Sequence, residues 1–410
     1  MRRFPVVLLA LLLAAFVLAP VALAREEVRV GVLLPLSGLR KAYGEVQKRA
    51  CEMAADEING AGGVGGRVLS LVFGDSGGGP EAARAAVEKL VGRDRALILV
   101  GGYEDETALE EARAAQELRV PFLVTTARDD RITSQGWEYV FRLASPVSAT
   151  LDSLESFLRE QGGVETAAVL YEETPENEAE AGLFEALAGR MGIRLVLKEG
   201  WESPGNEFAG MLVRVKAKNP DMVYVAASVR DATFFMRKAR DLNVDTRLYA
   251  GNTTGFTSNN FKLNARAATS HIYSLSPWVP TLPYAGAEDF FKKFAMKYLM
   301  APIFQAAQAY AAIQVAAGAL EKSREAVPAA VRDALAGTDR MTVFGPVKFE
   351  SFLGMTRQNR PTGCLVQWLD GNLEAVWPKD FSTAEFVYPV PSWKEQEAAR
   401  KQKEAEEKKW

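Results

Sequence analysis

Short apolar runs alternate with longer amphipathic stretches along most of this chain. Residues 28–34, VRVGVLL, form one run, closed by the turn residues of PLSG, and residues 68–75, VLSLVFGD, form another. Between them AADEING reads as a helix and AGGVGG as a glycine-rich bend. Continuous apolar runs of this length, bounded by Gly, Pro and Ser, fit parallel strands buried on both faces. Strand, helix and strand then make a β-α-β unit. Its loops open at the carboxyl ends of the strands, where open parallel sheets bind small ligands.

The alternation continues. The pattern predicts helices over 81–91 and 104–118 and strands over 96–100, 120–125 and 140–143. A second unit repeats the same grammar, with helices over 148–161, 177–191, 207–216 and 231–242. Gly192 is placed to stop the second of these. Its strands are expected over 166–171, 194–199, 221–226, 247–250 and 271–275. A third section has helices over 287–298, 305–320 and 327–336, the last with Pro328 in its first turn and Gly337 just past its end. Strand-like runs at 345–349 and 364–369 follow, and 394–410 is a charged tail expected to be solvated. The fold class is therefore α/β, with two doubly wound, Rossmann-like lobes.

The first 24 residues stand apart from this pattern. Arg2 and Arg3 precede an apolar run from Val6 to Ala19, and Ala22-Leu23-Ala24 has the small-x-small form of a signal-peptidase site. The run is short for a membrane span of ~20 residues. The expectation is an exported protein, cleaved after Ala24 and working in the periplasm. The remaining length suits two or three domains of ~100–200 residues. A net charge of −3 with no basic stripe gives no reason to expect nucleic acid.

The chain has two cysteines, Cys51 and Cys364, and one histidine, His271. That leaves no Ser-His-Asp alternatives and no multi-histidine metal site. The glycines from Gly60 to Gly66 follow a helix and precede a strand, the reverse of the order a dinucleotide fingerprint needs. No enzyme, cofactor or metal is expected.

Together, VGVLLPLSG, AYG, INGAGGVGG, Asp75, VPFLVTTARDDRIT, VFRLASP, PDMVYVAAS, MRKARDLNV, FGPVKF and VQWLDGN run in order through the chain. In this order and spacing the chain resembles the periplasmic Leu/Ile/Val-binding protein family, the solute receptors of branched-chain amino acid ABC importers. The resemblance implies the type I periplasmic binding protein fold: two lobes joined by a three-strand hinge, closing on a solute held between them. It implies a small polar solute and an ABC permease in the inner membrane as partners, and a monomer. The crossings are expected near 143–146, near 275–277 and within 345–349. Lobe 1 is then 25–145 plus 276–347, lobe 2 is 146–275 plus 348–390, and 391–410 is the tail.

The resemblance also points to site residues. Tyr43 stands where the family has an aromatic side chain in the first loop, with Ser37 beside it in the turn. The second loop, which the family uses to hold the ligand carboxylate, reads Tyr103-Glu104-Asp105-Glu106-Thr107 here. These acids either complement the helix dipole or turn away an anionic ligand. The third loop offers Thr125, Thr126 and Arg128, with Arg128 at the place of the family threonine. Arg128 either clamps a carboxylate or pairs with Asp105 or Glu106. On the far lobe Thr174 lies in a run that lacks the family's aromatic residue. Asn252 and Thr253 replace the family's acidic residue, and Trp278 either lines the cleft edge or packs in the hinge. All three anchors of an α-amino acid are altered, so the expected solute is polar and amino-acid-like or amide-like. The alternative is a ligand sensor signalling to a separate membrane partner.

Overall fold

The computed structural model describes residues 26–205, 208–361 and 363–407. The expected signal segment, the Glu207 start of one helix and the last three residues of the tail lie outside them.

Two seven-stranded sheets dominate the architecture. The first has the spatial order Glu350–Phe352, Met355–Gln358, Val140–Arg142, Phe122–Val124, Ile98–Gly101, Glu27–Leu34, Val68–Asp75. All its pairings are parallel except the Glu350–Phe352 hairpin at one edge. The second runs Asn372–Trp377, Cys364–Leu369, Tyr273–Ser276, Leu248–Gly251, Met222–Ala226, Thr166–Glu172, Arg194–Trp201. Its core is parallel, and the two pairings at the Asn372–Trp377 edge are antiparallel. The strand order doubles back around the first strand of each β-α-β series, as in doubly wound folds.

Helices cover both faces of each sheet, and four apolar clusters fill the layers between. The helix Phe304–Lys322 is the most enclosed. Its Ala-rich surface is apolar all round, and it packs along the helix Lys41–Gly60. A helix apolar on every side has no solvent face to turn outward, so it sinks into the lobe. Two buried polar residues interrupt it, Gln305 and Gln308, both near its amino end. Local chemistry sets other elements. The helix Pro175–Met191 starts with Thr174 accepting from the Asn177 N–H at 3.3 Å and ends on Gly192 at φ 72°.

The third crossing between the sheets differs from expectation. Residues 345–349 do not pass between lobes: Gly345–Lys348 pairs antiparallel with Asp339–Thr342 in a separate two-stranded ladder. The chain then adds Glu350–Phe352 and Met355–Gln358 to the first sheet, and crosses over residues 359–363 to reach Cys364–Leu369. Residues 350–358, expected in lobe 2, therefore belong to the first sheet. The hairpin is closed by Leu353 and Gly354, both at positive φ, as a two-residue turn requires.

This crossing is tied to the first. Gln358 donates to the Ala144 carbonyl at 2.7 Å, Asn359 donates to the Leu143 carbonyl at 3.2 Å, and Ser145 donates to the Pro361 carbonyl at 3.2 Å. Beneath them Arg142 is fully buried, donating to Gln358 Oε1 at 2.6 Å, Thr133 Oγ1 at 2.9 Å and the Asp129 carbonyl at 2.5 Å. Burial pushes its guanidinium down to about 10. Both cysteines are free and buried, and burial raises both thiols, Cys364 to about 12.

Glu111, on the helix Asp105–Glu117, is 0% exposed, with the buried Ser76 hydroxyl beside its carboxyl. Burial pushes it up to about 8. The folded state therefore holds a proton that the unfolded chain releases at a lower pH, so stability falls as pH rises through this interval. Glu111→Gln should flatten that slope, which a single group sets at about 1.4 kcal/mol per pH unit. It should also raise the melting temperature at pH 8–9 while changing it little at pH 5. Melting curves of both proteins over pH 5–9 check this, and parallel pH profiles would refute it.

Candidate functional site

The carboxyl ends of the parallel strands in both sheets carry the loops that face the crevice between the lobes. In the first loop, Asp75 organises the turn after Glu27–Leu34. Its Oδ1 accepts from the N–H groups of Leu36 at 2.8 Å, Ser37 at 3.2 Å and Gly77 at 2.8 Å. Burial acts to raise this carboxyl, but these donors and the Ser37 hydroxyl hold it below its ordinary value. Ser37 is thus exposed but committed to Asp75. Gly44 lets the helix Lys41–Gly60 close on this turn, because a Cβ there would lie 2.1 Å from the Pro35 carbonyl oxygen. That approach presents Tyr43 at the crevice, 36% exposed.

Tyr103 follows the strand Ile98–Gly101 and stands next to Tyr43, with ring centroids 5.8 Å apart and planes at 31°. Its phenol hydrogen-bonds Gln305. The acids beside it serve the protein itself. Glu104 pairs with Arg40 at 3.3 Å, and Glu106 pairs with Arg131 at 2.5 Å. Asp105 Oδ1 accepts from the N–H of Arg128 at 2.6 Å and of Asp129 at 3.2 Å. Thr125 donates to the Gly101 carbonyl at 3.0 Å. The Thr126 hydroxyl lies 3.3 Å from Gln47 Oε1 and 3.4 Å from Gln308 Oε1. The Arg128 guanidinium pairs with neither Asp105 nor Glu106. It reaches across to the Thr150 hydroxyl, at the start of the second lobe.

The structure commits four further candidates to the protein's own contacts, with Trp278 taking the packed one of its two alternatives. Asn252 is 3% exposed and its amide oxygen is fully used: Oδ1 accepts from the Ala227 and Gly255 N–H groups, both at 3.2 Å, while Nδ2 donates one N–H to Asn177 Oδ1. Thr253 donates to the Leu275 carbonyl at 2.7 Å. Trp278 is 4% exposed, stacked edge-on to Phe290, with Nε1 donating to the Val343 carbonyl at 2.8 Å, so it packs in a core and does not line the cleft. Thr174 caps its helix.

Facing Arg128 are groups that motif reading passed over. Tyr224 hydrogen-bonds Glu180 at 2.5 Å, and the Arg128 charge acts on both. Burial raises the Glu180 carboxyl. Gln47, Gln305 and Gln308 were also missed. Their signal was a polar residue on a buried helix face, legible for Gln305 and Gln308 in the run FQAAQAYAA. No group of three or more His, Cys, Asp or Glu among the described residues could hold a metal ion, and no described helix is long and apolar enough to cross a membrane.

The periplasmic binding protein family matches residues 27–371. A Leu/Ile/Val-binding protein of Rhizobium johnstonii is 25% identical over 374 residues, covering 90% of this chain and 98% of its own. Leu/Ile/Val-binding protein homolog 7 of Brucella suis is 25% identical over 402 residues, covering 93% and 99%. A branched-chain amino acid transporter substrate-binding protein of Streptococcus pneumoniae, solved with isoleucine, has a TM-score of 0.70 at 23% identity, covering 89% of this chain and all of that one. A solute-binding protein of an R. palustris ABC transporter, solved with benzoate, has a TM-score of 0.69 at 22% identity, covering 89% and 97%. The two solved structures share its fold. The chain belongs to the periplasmic binding protein family and is an exported, two-lobed solute-binding receptor.

Proposed function

We propose that this receptor captures one small polar solute, amino-acid-like or amide-like, in the crevice between its sheets, and passes it to an ABC importer in the inner membrane. On this reading residues 1–24 are removed after Ala24 and the mature protein works as a monomer. The observation that carries it is the pairing of Tyr43 and Tyr103 over buried hydrogen-bonding groups at the strand ends, where the two lobes face each other across three chain crossings. A solute touching both lobes stabilises the closed form selectively and traps itself there. The relatives named above carry Leu, Ile and Val in their names, and the solved structures hold isoleucine and benzoate. The span of those ligands sets the size of the expected solute.

Small-angle scattering with a panel of amino acids, amides and small organic acids tests the capture step. A binding solute should shrink the radius of gyration and, at a hundredfold excess over Kd, add about 2.7 kcal/mol to stability. A panel that leaves both unchanged throughout would refute the reading.

Tyr43 offers a sharper check. Its ring is exposed, so removing it takes away a ligand contact and little of the core. Tyr43→Ala should weaken solute binding about tenfold, roughly 1.4 kcal/mol, with the melting temperature of the free protein nearly unchanged. Calorimetry on both proteins decides it; equal affinities would remove Tyr43 from the site.

A further inference from the structure

We propose, resting on the receptor reading above, that Arg128 is a positioning residue for capture: it clasps the start of the second lobe and sets the angle between the lobes before a solute arrives. Three hydrogen bonds make the clasp. The Val147 N–H donates to the Arg128 carbonyl at 2.8 Å, the Ser148 N–H donates to Asp130 Oδ1 at 3.4 Å, and the Arg128 guanidinium donates to the Thr150 hydroxyl. All three join the loop 128–130 to the turn 147–150, which follows the first crossing. They lie beside that crossing, so turning one lobe against the other must strain or break them.

Each end of the clasp is fixed to its own lobe. On the first, the N–H groups of Arg128 and Asp129 donate to Asp105 Oδ1, and the Asp129 carbonyl accepts from the buried Arg142. On the second, Leu151 and Leu154 sit in one apolar core with Val169 and Tyr273 of the second sheet. The turn is also closed on itself. The Thr150 hydroxyl donates its one proton to the Val147 carbonyl at 2.5 Å, which leaves its lone pairs to accept from Arg128. Hinge motion moves rigid bodies past one another, so a bond between two such bodies resists it.

The surrounding charges hold Arg128 in this direction. Arg142 lies behind it in the first lobe, close enough for the two cations to repel. Glu180 faces it from the second lobe. Burial raises that carboxyl, while the Tyr224 hydroxyl and the Arg128 charge act to lower it. A like charge behind and a carboxyl ahead both favour the reach to Thr150 over a retreat into the first lobe. A hydrogen bond from a cation is stronger than a neutral one, and the other charged contact, from Ser148 to Asp130, is long at 3.4 Å. The Arg128 side chain therefore carries most of the clasp.

The test reads the angle directly, on the whole protein without solute. Ala85, on the helix Pro80–Gly92 of the first lobe, and Ala186, on the helix Pro175–Met191 of the second, are exposed, and Ala85→Cys with Ala186→Cys takes a pair of spin labels. Cys51 and Cys364 are buried and stay unlabelled. Double electron–electron resonance should give one narrow distance when Arg128 and Thr150 are intact. Arg128→Ala and Thr150→Val should each broaden it and raise the population of other lobe angles about threefold or more. The two together should do no more than either alone, because they break one bond. Melting curves without solute check that each variant folds, and Thr150→Val, which keeps the side chain's shape, decides alone if Arg128→Ala does not. Unchanged distances would overturn the inference. So would additive effects, or a change in Arg128→Ala that Thr150→Val fails to reproduce, since Arg128 would then act through another partner. None of these outcomes bears on capture itself, which the scattering experiment decides.

Discussion

Every backbone N–H at the carboxyl end of a parallel strand must find an acceptor, because these ends are partly shielded from water. In a receptor the ligand can be that acceptor. In this chain its own side chains take the role loop after loop. Asp75 holds Leu36, Ser37 and Gly77. Asp105 holds Arg128 and Asp129, Glu172 holds Ser228, and Asn252 holds Ala227 and Gly255. The crevice is thus ordered before a solute arrives, which lowers the entropic cost of binding. What remains for recognition is a set of tyrosines, glutamines and threonines, with the Arg128 guanidinium resting on Thr150.

The same economy runs through the hinge. The first and third crossings are cross-linked by Gln358, Asn359 and Ser145, above the buried Arg142. Hinges absorb rotation in a few residues while the elements on either side stay rigid. Arg142 fastens the loop at Asp129, the Thr133 turn and the strand Met355–Gln358 into one body. The loop that carries Arg128 therefore moves with its lobe, and the reach of Arg128 to Thr150 bridges the crevice directly.

Much of this was legible in the sequence because buried parallel strands leave an unmistakable apolar run. Val140–Arg142 and Met222–Ala226, parallel and buried throughout, fall inside the runs expected at 140–143 and 221–226. The hairpin at Glu350–Gln358 was missed for a physical reason. Its strands are short, at a sheet edge and half polar, and Leu353 occupies a positive-φ turn position where Asn or Asp gives the usual signal. Missing it shifted the third crossing by more than a strand's length. The strand Asn372–Trp377 had its Asp370-Gly371 turn in plain view. At the site, resemblance led to Tyr43, which the structure sets beside Tyr103, while the partners of Asp105, Asn252 and Trp278 depend on contacts between segments far apart in sequence. No local pattern encodes those.

Mass spectrometry of the small molecules released when protein purified under gentle conditions is denatured puts the central claim to its most direct trial. The account predicts one small polar solute, amino-acid-like or amide-like, bound one to one and depleted from a Tyr43→Ala preparation. Protein that releases no small molecule and whose melting temperature no amino acid, amide or small organic acid raises would contradict it.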